Sequence, residues 1–404
     1  MSTIRLLETI SSALETLRGA WRCDPEAQLR VLGVPLRLLA LDIHGEARGF
    51  DWLAGLATLI MSSCYYWVFL ISWIPYLGRS GALAEHERIQ TIVVFSLGVA
   101  SEIGPVKLIC MYINRSRVRQ IVSGTIASSL ASGSASNEEM RTRLKTVWRR
   151  ATIFWCSVMM NGVIYMMRPL FQSGRHMMAD NLPVLGLQPM LESPRYEVAY
   201  VVEILAVLFT VIPAASSAAF LVIVAGHTEA QLHCLAKRLR QIPLQRMLYQ
   251  TPGEFEAYIT NQLHDIIQKH NKALDNVRQL EIAYQISVAI EFILLAAGLI
   301  AELLGGLENT YLQVPFALTL VSMDCLSGQR LMDAALEYEM AIYDSGWERW
   351  DKRSQRTALN MLLVAQRRAR LSAGGIATLN FECLMAVLKS VYSAYTALRS
   401  VVDK

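Results

Sequence analysis

Seven histidines, seven cysteines and 34 acidic residues are the chain's stock of reactive side chains, and their spacing assembles no catalytic centre. His227 and His233 are six residues apart, as are His264 and His270. Six residues turn a helix by about 240°, so neither pair shares a face. The patterns H-E-x-x-H and C-x-x-C are absent, which argues against a metal site. So are the phosphate-binding G-x-x-x-x-G-K and the nucleophile turn G-x-S-x-G. The chain therefore reads as a non-enzyme with no catalytic residue, metal or cofactor. More informative are charges inside apolar stretches: Glu102, Lys107, Glu291, Glu302, Asp324, Glu382 and Lys389. Glu291 and Glu302 are eleven apart, and Glu382 and Lys389 seven apart, so each pair lies nearly on one helix face. Ionisable groups at membrane depth are costly and often functional. Pairing between helices and a water-filled path both fit them.

The last apolar stretch carries the clearest pattern. Ser390, Ala394, Ala397 and Val401 recur at four-, three- and four-residue intervals and make one small, mildly polar face. Small residues in lipid allow tight helix packing. They would equally make a pore wall whose narrowest ring is apolar and gates by dewetting.

The elements that must position these residues follow from composition. Of 404 residues 53% are hydrophobic and only 18% charged, with mean hydropathy +0.32. Soluble domains carry about 25% charged residues, so the composition argues against a soluble enzyme. A membrane helix needs about 20 apolar residues. Seven stretches qualify: 52–78, 89–112, 151–167, 204–226, 282–304, 309–329 and 376–398. The start, 1–51, mixes charges with helical apolar spacing (Leu6, Ile10, Leu14, Leu17) and is not a signal peptide. With that segment inside, the cytoplasmic stretches hold 29 Lys and Arg and the outer ones seven. This bias puts the amino terminus in the cytoplasm and the carboxyl terminus outside, the reverse of G-protein-coupled receptors. No cysteine falls in an outer loop. The single N-glycosylation sequon, at Asn114, falls inside and should be unmodified. There is no Asp-Arg-Tyr after the third span and no Asn-Pro-x-x-Tyr in the seventh.

The expected fold is thus an all-α membrane protein of seven transmembrane helices. A cytoplasmic amphipathic segment (1–51) precedes helices one to six (52–329). Cytoplasmic extensions at 227–281 and anchor helices at 330–371 follow, with a pore-lining helix at 376–401. One helix should run from about 254 into the fifth span, because Ile259, Ile266, Ala273, Val277 and Leu280 keep a three-or-four spacing with no Gly or Pro between. Stripes to Pro243, from Leu331 to Tyr343 and from Thr357 to Ala369 extend other helices into the cytoplasm. The small, polar run from Ser128 to Asn137 should be a loop, and Gly374-Gly375 should break the chain before the last span. Net charge +4 follows from the cytoplasmic loops and calls for no nucleic acid.

Cys325, Gly328, Tyr343 and Trp347 are followed by Ala365-Gln366, Ala373-Gly374-Gly375, Phe381, Lys389-Ser390, Tyr392-Ser393 and Leu398. This order resembles the carboxyl-terminal signature of insect odorant receptors. The gustatory receptors' Thr-Tyr-x-x-x-x-x-Gln-Phe ending is absent, with Tyr395-Thr396-Ala397-Leu398 in its place. The resemblance implies an odorant-gated, non-selective cation channel in the plasma membrane of an olfactory neuron. It implies a tetramer with a shared co-receptor, a pore lined by the seventh span of each subunit, and cytoplasmic helices that anchor the subunits. The segment 227–281 is short, so the chain resembles an odour-tuned subunit rather than the co-receptor. Alignment with the family puts Ala397 and Val401 at the gate, where a small Ala397 leaves most of the seal to the co-receptor. It also implies a pocket for a volatile, largely apolar ligand in the outer half of spans two, three, four and six. Its candidate residues are Ile92, Phe95, Ser96 and Val99; Met159, Met160 and Val163; Tyr200 and Ile204; and Tyr311. Membrane lipid is the remaining partner. A receptor acting through a cytoplasmic G protein and a secondary transporter are the competing readings.

Overall fold

The computed structural model describes residues 19–20, 25–45, 52–73, 85–130, 137–178, 184–305, 312–367 and 369–402. Helix α1 (Pro25–Leu38) starts with Pro in its first turn, where the missing N–H costs nothing. It leads to α2 (Trp52–Phe69), whose Trp52, Leu53, Leu56 and Leu59 are all exposed. Next come α3 (Glu85–Ser101) and α4 (Ile103–Ile113), separated by Glu102 alone. The interruption follows from Pro105, which has no N–H to offer the Ser101 carbonyl one turn back. Helix α5 (Arg115–Leu130) and α6 (Asn137–Met167) follow. The loop expected at 128–137 is thus shorter: Ser128 still belongs to α5, and 131–136 lie outside the described residues.

Helix α7 (Arg195–Gln241) is the centre of the bundle. From Pro213 to Thr228 every residue is buried, and α2, α4, α6 and α9 (Gln313–Tyr343) pack around it. Its run Ala214-Ala215-Ser216-Ser217-Ala218-Ala219 keeps side chains small on all sides, which lets neighbouring backbones approach. The approach is closest at Gly104 of α4, where a Cβ would lie 2.0 Å from the Thr210 carbonyl oxygen. The helix expected from about 254 is observed as α8 (Pro252–Gly305), 54 residues without a break. Helix α10 (Lys352–Ala365) opens on an Asp351 cap that accepts hydrogen bonds from the Arg353 and Ser354 amides.

Among the described residues, four helical segments are long and apolar enough to cross a membrane: α2, Thr91–Ile113 (α3 with α4), α7 and α8. The other three expected spans are helical too, as α6, α9 and α11 (Phe381–Val402). The last begins later than expected. Residues 372–378 form a small hairpin, β1 (Ser372–Ala373) paired antiparallel with β2 (Ala377–Thr378). Gly374 and Gly375 sit at φ +62° and +72° in its turn, a backbone that favours glycine. The Gly374 amide donates to the Gln285 carbonyl (2.8 Å) and the Ser372 hydroxyl to Glu281 (2.7 Å), which fixes the hairpin to α8.

Helix α9 meets the start of α11 at Gly328, where a Cβ would fall 2.2 Å from the Leu379 carbonyl oxygen. Gly328→Ala should therefore cost at least ~2 kcal/mol through overpacking. Gly253→Ala, with nothing within 4 Å, should cost little. Thermal unfolding of the two purified variants compares them directly.

Candidate functional site

Three regions could carry function: a cavity between helices, the final helix, and a charged cluster in the bundle interior. The cavity lies where α3, α6, α7 and α9 meet near Phe69 of α2. It holds about 70 Å³ and is lined by Leu97, Ala100 and Ser101; Asn161, Gly162 and Tyr165; Val207, Thr210 and Val211; and Leu312, Gln313 and Phe316. This is smaller than the roughly 300–1,000 Å³ of ordinary ligand pockets, so a ligand must displace side chains to enter. The wall is apolar with five polar groups, and most of these are engaged. Asn161 donates to the Leu312 carbonyl (2.9 Å), and Ser101 donates to Gly98 (2.8 Å) while meeting the Tyr65 hydroxyl (3.1 Å).

None of the described residues expected to bind a ligand lines this cavity. Phe95, Met160 and Val163 are exposed, and Val163 contributes instead to a surface depression of about 500 Å³ beside Phe171. Ser96 is fully buried and donates to the Val93 carbonyl (2.7 Å) and Gln313 (3.1 Å). Ile92 and Val99 are half-buried. Met159, Tyr200 and Ile204 are half-buried against the core, with the Tyr200 hydroxyl donating to Met166 (2.7 Å). Tyr311 lies outside the described residues. The helices are those expected, but the cavity-facing residues Gly162, Asn161, Thr210, Val211 and Phe316 were missed. Small and polar residues on otherwise apolar helices were the available signal.

Helix α11 is covered on one side only. Cys383, Leu384, Val387 and Val391 pack towards α8 and α9, and among its described side chains only Val391 is fully buried. Ser390 and Ala397 are exposed and Ala394 is half-buried; the Val401 side chain lies outside those described. Glu382 and Lys389 are both exposed on this helix. Two of its hydroxyls return to the helix backbone, Thr396 to Ser393 (2.9 Å) and Ser400 to Ala397 (2.7 Å), while the Tyr395 hydroxyl accepts from Arg399 (2.7 Å). The exposed face is thus less polar than its composition implies.

The charges inside the spans resolve into a cluster. Lys107 Nζ of α4 lies 2.8 Å from Glu291 of α8 and 3.6 Å from Asp324 of α9. All three side chains are at most 2% exposed. One cation thus joins two carboxylates and three helices. Glu302 is buried separately, one turn from Gly305, where α8 touches Val93 of α3.

The polar parts of α6, α7, α8 and α9 are tied by charged contacts. Arg238 meets Asp265 (2.6 Å), Lys237 meets Glu139 (2.5 Å), Arg150 meets Glu229 (2.8 Å), and Glu337 takes both Arg240 (3.0 Å) and His233. Burial raises the Asp265 carboxyl, but Arg238 and Lys269 outweigh it and hold the group below its usual range. His270 stacks on Tyr338 with centroids 4.3 Å apart, and burial pushes its imidazole down to about 4. Both folded-state values are depressed, so the unfolded chain binds more protons in acid. The His270 contribution is therefore full above about pH 6.5 and is lost as pH drops towards 4, whereas that of Asp265 is lost only below about pH 4. For His270 alone the loss is on the order of 3 kcal/mol by pH 4, at about 1.4 kcal/mol per unit. The thermal midpoint of the purified protein should drop between pH 7 and 5, and His270→Gln should flatten that drop.

Comparison with known proteins agrees with this architecture. The family model described as 7tm Odorant receptor matches residues 89–392, well over half of the chain. Odorant receptors 22c and 22b of Drosophila melanogaster are 24% identical over 183 residues and 23% over 163. These matches cover 41% and 38% of this chain and 45% and 41% of the relatives, so less than half of each relative is spanned. The structure of olfactory receptor OR5 from Machilis hrabei in complex with eugenol superposes with a TM-score of 0.73 at 14% identity. That superposition covers 92% of this chain and 97% of the other. The structure of the same receptor described without eugenol gives 0.72. The fold is that of a multi-pass, all-α membrane protein, and the family is not one of enzymes. By the extent of the family match, this chain belongs to the insect odorant receptors.

Proposed function

We propose that the chain is an odour-tuned subunit of a ligand-gated, non-selective cation channel in the plasma membrane. It assembles as a tetramer with a co-receptor subunit, crosses the membrane seven times with its amino terminus inside, and opens a central pore when a small volatile ligand binds. The observation that carries this reading is the uncovered α11. A helix long enough to span the bilayer leaves Ser390 and Ala397 exposed, with Ala394 half-buried beside them, and among the described residues no helix packs over that face. Further subunits would cover it and set these small side chains around an axis. Ser390, Ala394, Ala397 and Val401 then form the pore and gate.

The ligand would enter the cavity between α3, α6, α7 and α9, with Val211, Phe316 and Gly162 shaping it and Asn161, Thr210 and Gln313 offering hydrogen bonds. Of the expected residues, Ile92, Ser96, Val99, Met159, Tyr200 and Ile204 would act through the packing around it. The receptor OR5 from Machilis hrabei was solved with eugenol, a precedent for a small, largely apolar ligand with few oxygens. The Lys107 cluster and the hairpin contacts fall on α8 between Glu281 and Glu291, and they tie α4 and α9 to the chain just before α11.

Membrane current in a heterologous cell tests this reading. Volatile esters, alcohols and aldehydes should evoke a fast inward cation current only when chain and co-receptor are expressed together. A slow response that disappears when G-protein signalling is blocked would favour the competing receptor reading.

A further inference from the structure

A second cavity, far larger than the one between α3, α6, α7 and α9, opens further towards the start of α6, at 148–156. It holds about 730 Å³ between α1, residues 42–44, α6 and α7. This is well within the range of small-molecule sites. Its walls are mostly aliphatic and aromatic, yet three buried polar atoms on them have no hydrogen-bond partner: Trp148 Nε1, Thr152 Oγ1 and His44 Nε2. A buried polar group left unpaired keeps its full desolvation cost. Three of them converging on one cavity mark a place where a polar ligand group belongs. Trp155, seven residues from Trp148 and on the same wall, is already satisfied by Ser216 (3.2 Å).

The cavity also carries charge: besides Asp42, which Arg119 engages (3.8 Å), it is lined by two arginines. Arg30 and Arg37 both line it, and a seven-residue spacing puts them on one face of α1. Arg30 is paired with Glu26 (2.9 Å), whereas Arg37 makes no ion pair among the described residues. Beside them Val34 and Leu38 are 62% and 58% exposed, so the rim of the cavity is apolar. A water-soluble ligand would not call for such a rim; a lipid would. Under the proposed orientation this end of α6 and α7 lies at the cytoplasmic face, where tryptophans favour the headgroup level and arginines meet anionic lipid.

We propose that this cavity binds an anionic phospholipid of the cytoplasmic leaflet. Its acyl chain lies along Trp148 and Trp155, and its phosphate is neutralised by Arg37 and Arg30. The indole N–H of Trp148, the hydroxyl of Thr152 and the His44 imidazole donate to its ester and phosphate oxygens. The lipid thereby joins α1 to α6 and α7, which otherwise leave the cavity between them. This inference rests on the inside position of the amino-terminal segment.

The test uses the full-length receptor, co-purified with its co-receptor and reconstituted in phosphatidylcholine vesicles. The vesicles carry a photoactivatable phosphatidylserine or the matching phosphatidylcholine. Peptides covering 30–44 and 148–156 should be labelled at least fivefold more by the serine probe. Arg30→Gln with Arg37→Gln should bring labelling down to the choline level. Trp148→Phe, which keeps the ring and removes the donor, should lower it severalfold. Equal labelling by both probes, or labelling unchanged in the double variant, would overturn the proposal. So would displacement by equimolar stearate, which assigns the slot to a free fatty acid. An amino-terminal epitope, probed before and after permeabilisation, separates the two possible failures. An epitope reached only after permeabilisation, without selective labelling, defeats the lipid site alone. An epitope reached from outside defeats the orientation.

Discussion

Replacing Lys107 by Met is expected to remove most of the receptor from the cell surface. The substitution keeps the side chain's length but leaves Glu291 and Asp324 facing each other in the bundle interior without their cation, now held 2.8 and 3.6 Å away. Breaking a buried ion pair by deleting one partner costs about 3–5 kcal/mol, a large part of the roughly 5–15 kcal/mol that holds a typical domain together. The companion variant distinguishes charge from shape. Lys107→Met combined with Glu291→Leu and Asp324→Leu replaces the cluster by apolar groups of similar volume, and such replacements are often neutral. Surface expression of a fluorescent fusion should therefore fall severalfold in the single variant and recover in the triple. Normal expression and thermal stability of Lys107→Met would show that the cluster does not hold α4, α8 and α9 together.

The second large effect concerns the small cavity. Val211 stands on its wall, and its methyl groups lie 3.0–3.1 Å from where a Gly162 Cβ would be. Val211→Phe fills the remaining space of about 70 Å³. Overpacking should cost about 1–3 kcal/mol, which leaves a measurable surface population. The ligand concentration for half-maximal current should rise at least tenfold. A substitution on the outward face, Met160→Phe, lies on a 58% exposed side chain and should leave sensitivity within about twofold. Dose–response curves normalised to surface protein separate the two. Equal shifts in both variants would move the ligand site to the outer shell of residues.

The contrast between those two positions shows how much of the molecule is legible in its sequence. Charge gaps and apolar periodicity were sufficient for the long helices, because length and composition decide what can cross a bilayer. The continuous α8 followed from an unbroken apolar stripe, and the break before the last helix from Gly374-Gly375. Rotation of the helices was not legible. In water, apolar residues mark the buried face; in lipid they face outward equally well, and small or polar residues mark the contact. Phe95 and Met160 look like pocket residues by type and are exposed, while Gly162 and Asn161 turn inward. Two residues along a helix turn its face by about 200°, enough to separate Phe95 from Leu97. The same uncertainty hid the Lys107 cluster. Its members stood out as charges inside spans, but the pairing depends on how three helices face one another. The amino-terminal stripe at Leu6, Ile10, Leu14 and Leu17 lies outside the described residues.

The proposed function requires α11 of this chain to line a conducting pore. Ala397→Cys, expressed with the co-receptor, tests it most directly. Ala397 is exposed on α11, and no native cysteine lies in a proposed outer segment. A small cationic thiol reagent applied from outside during odorant application should reduce the current irreversibly, while wild type is unaffected. Full current after demonstrated modification of the introduced cysteine would contradict the account.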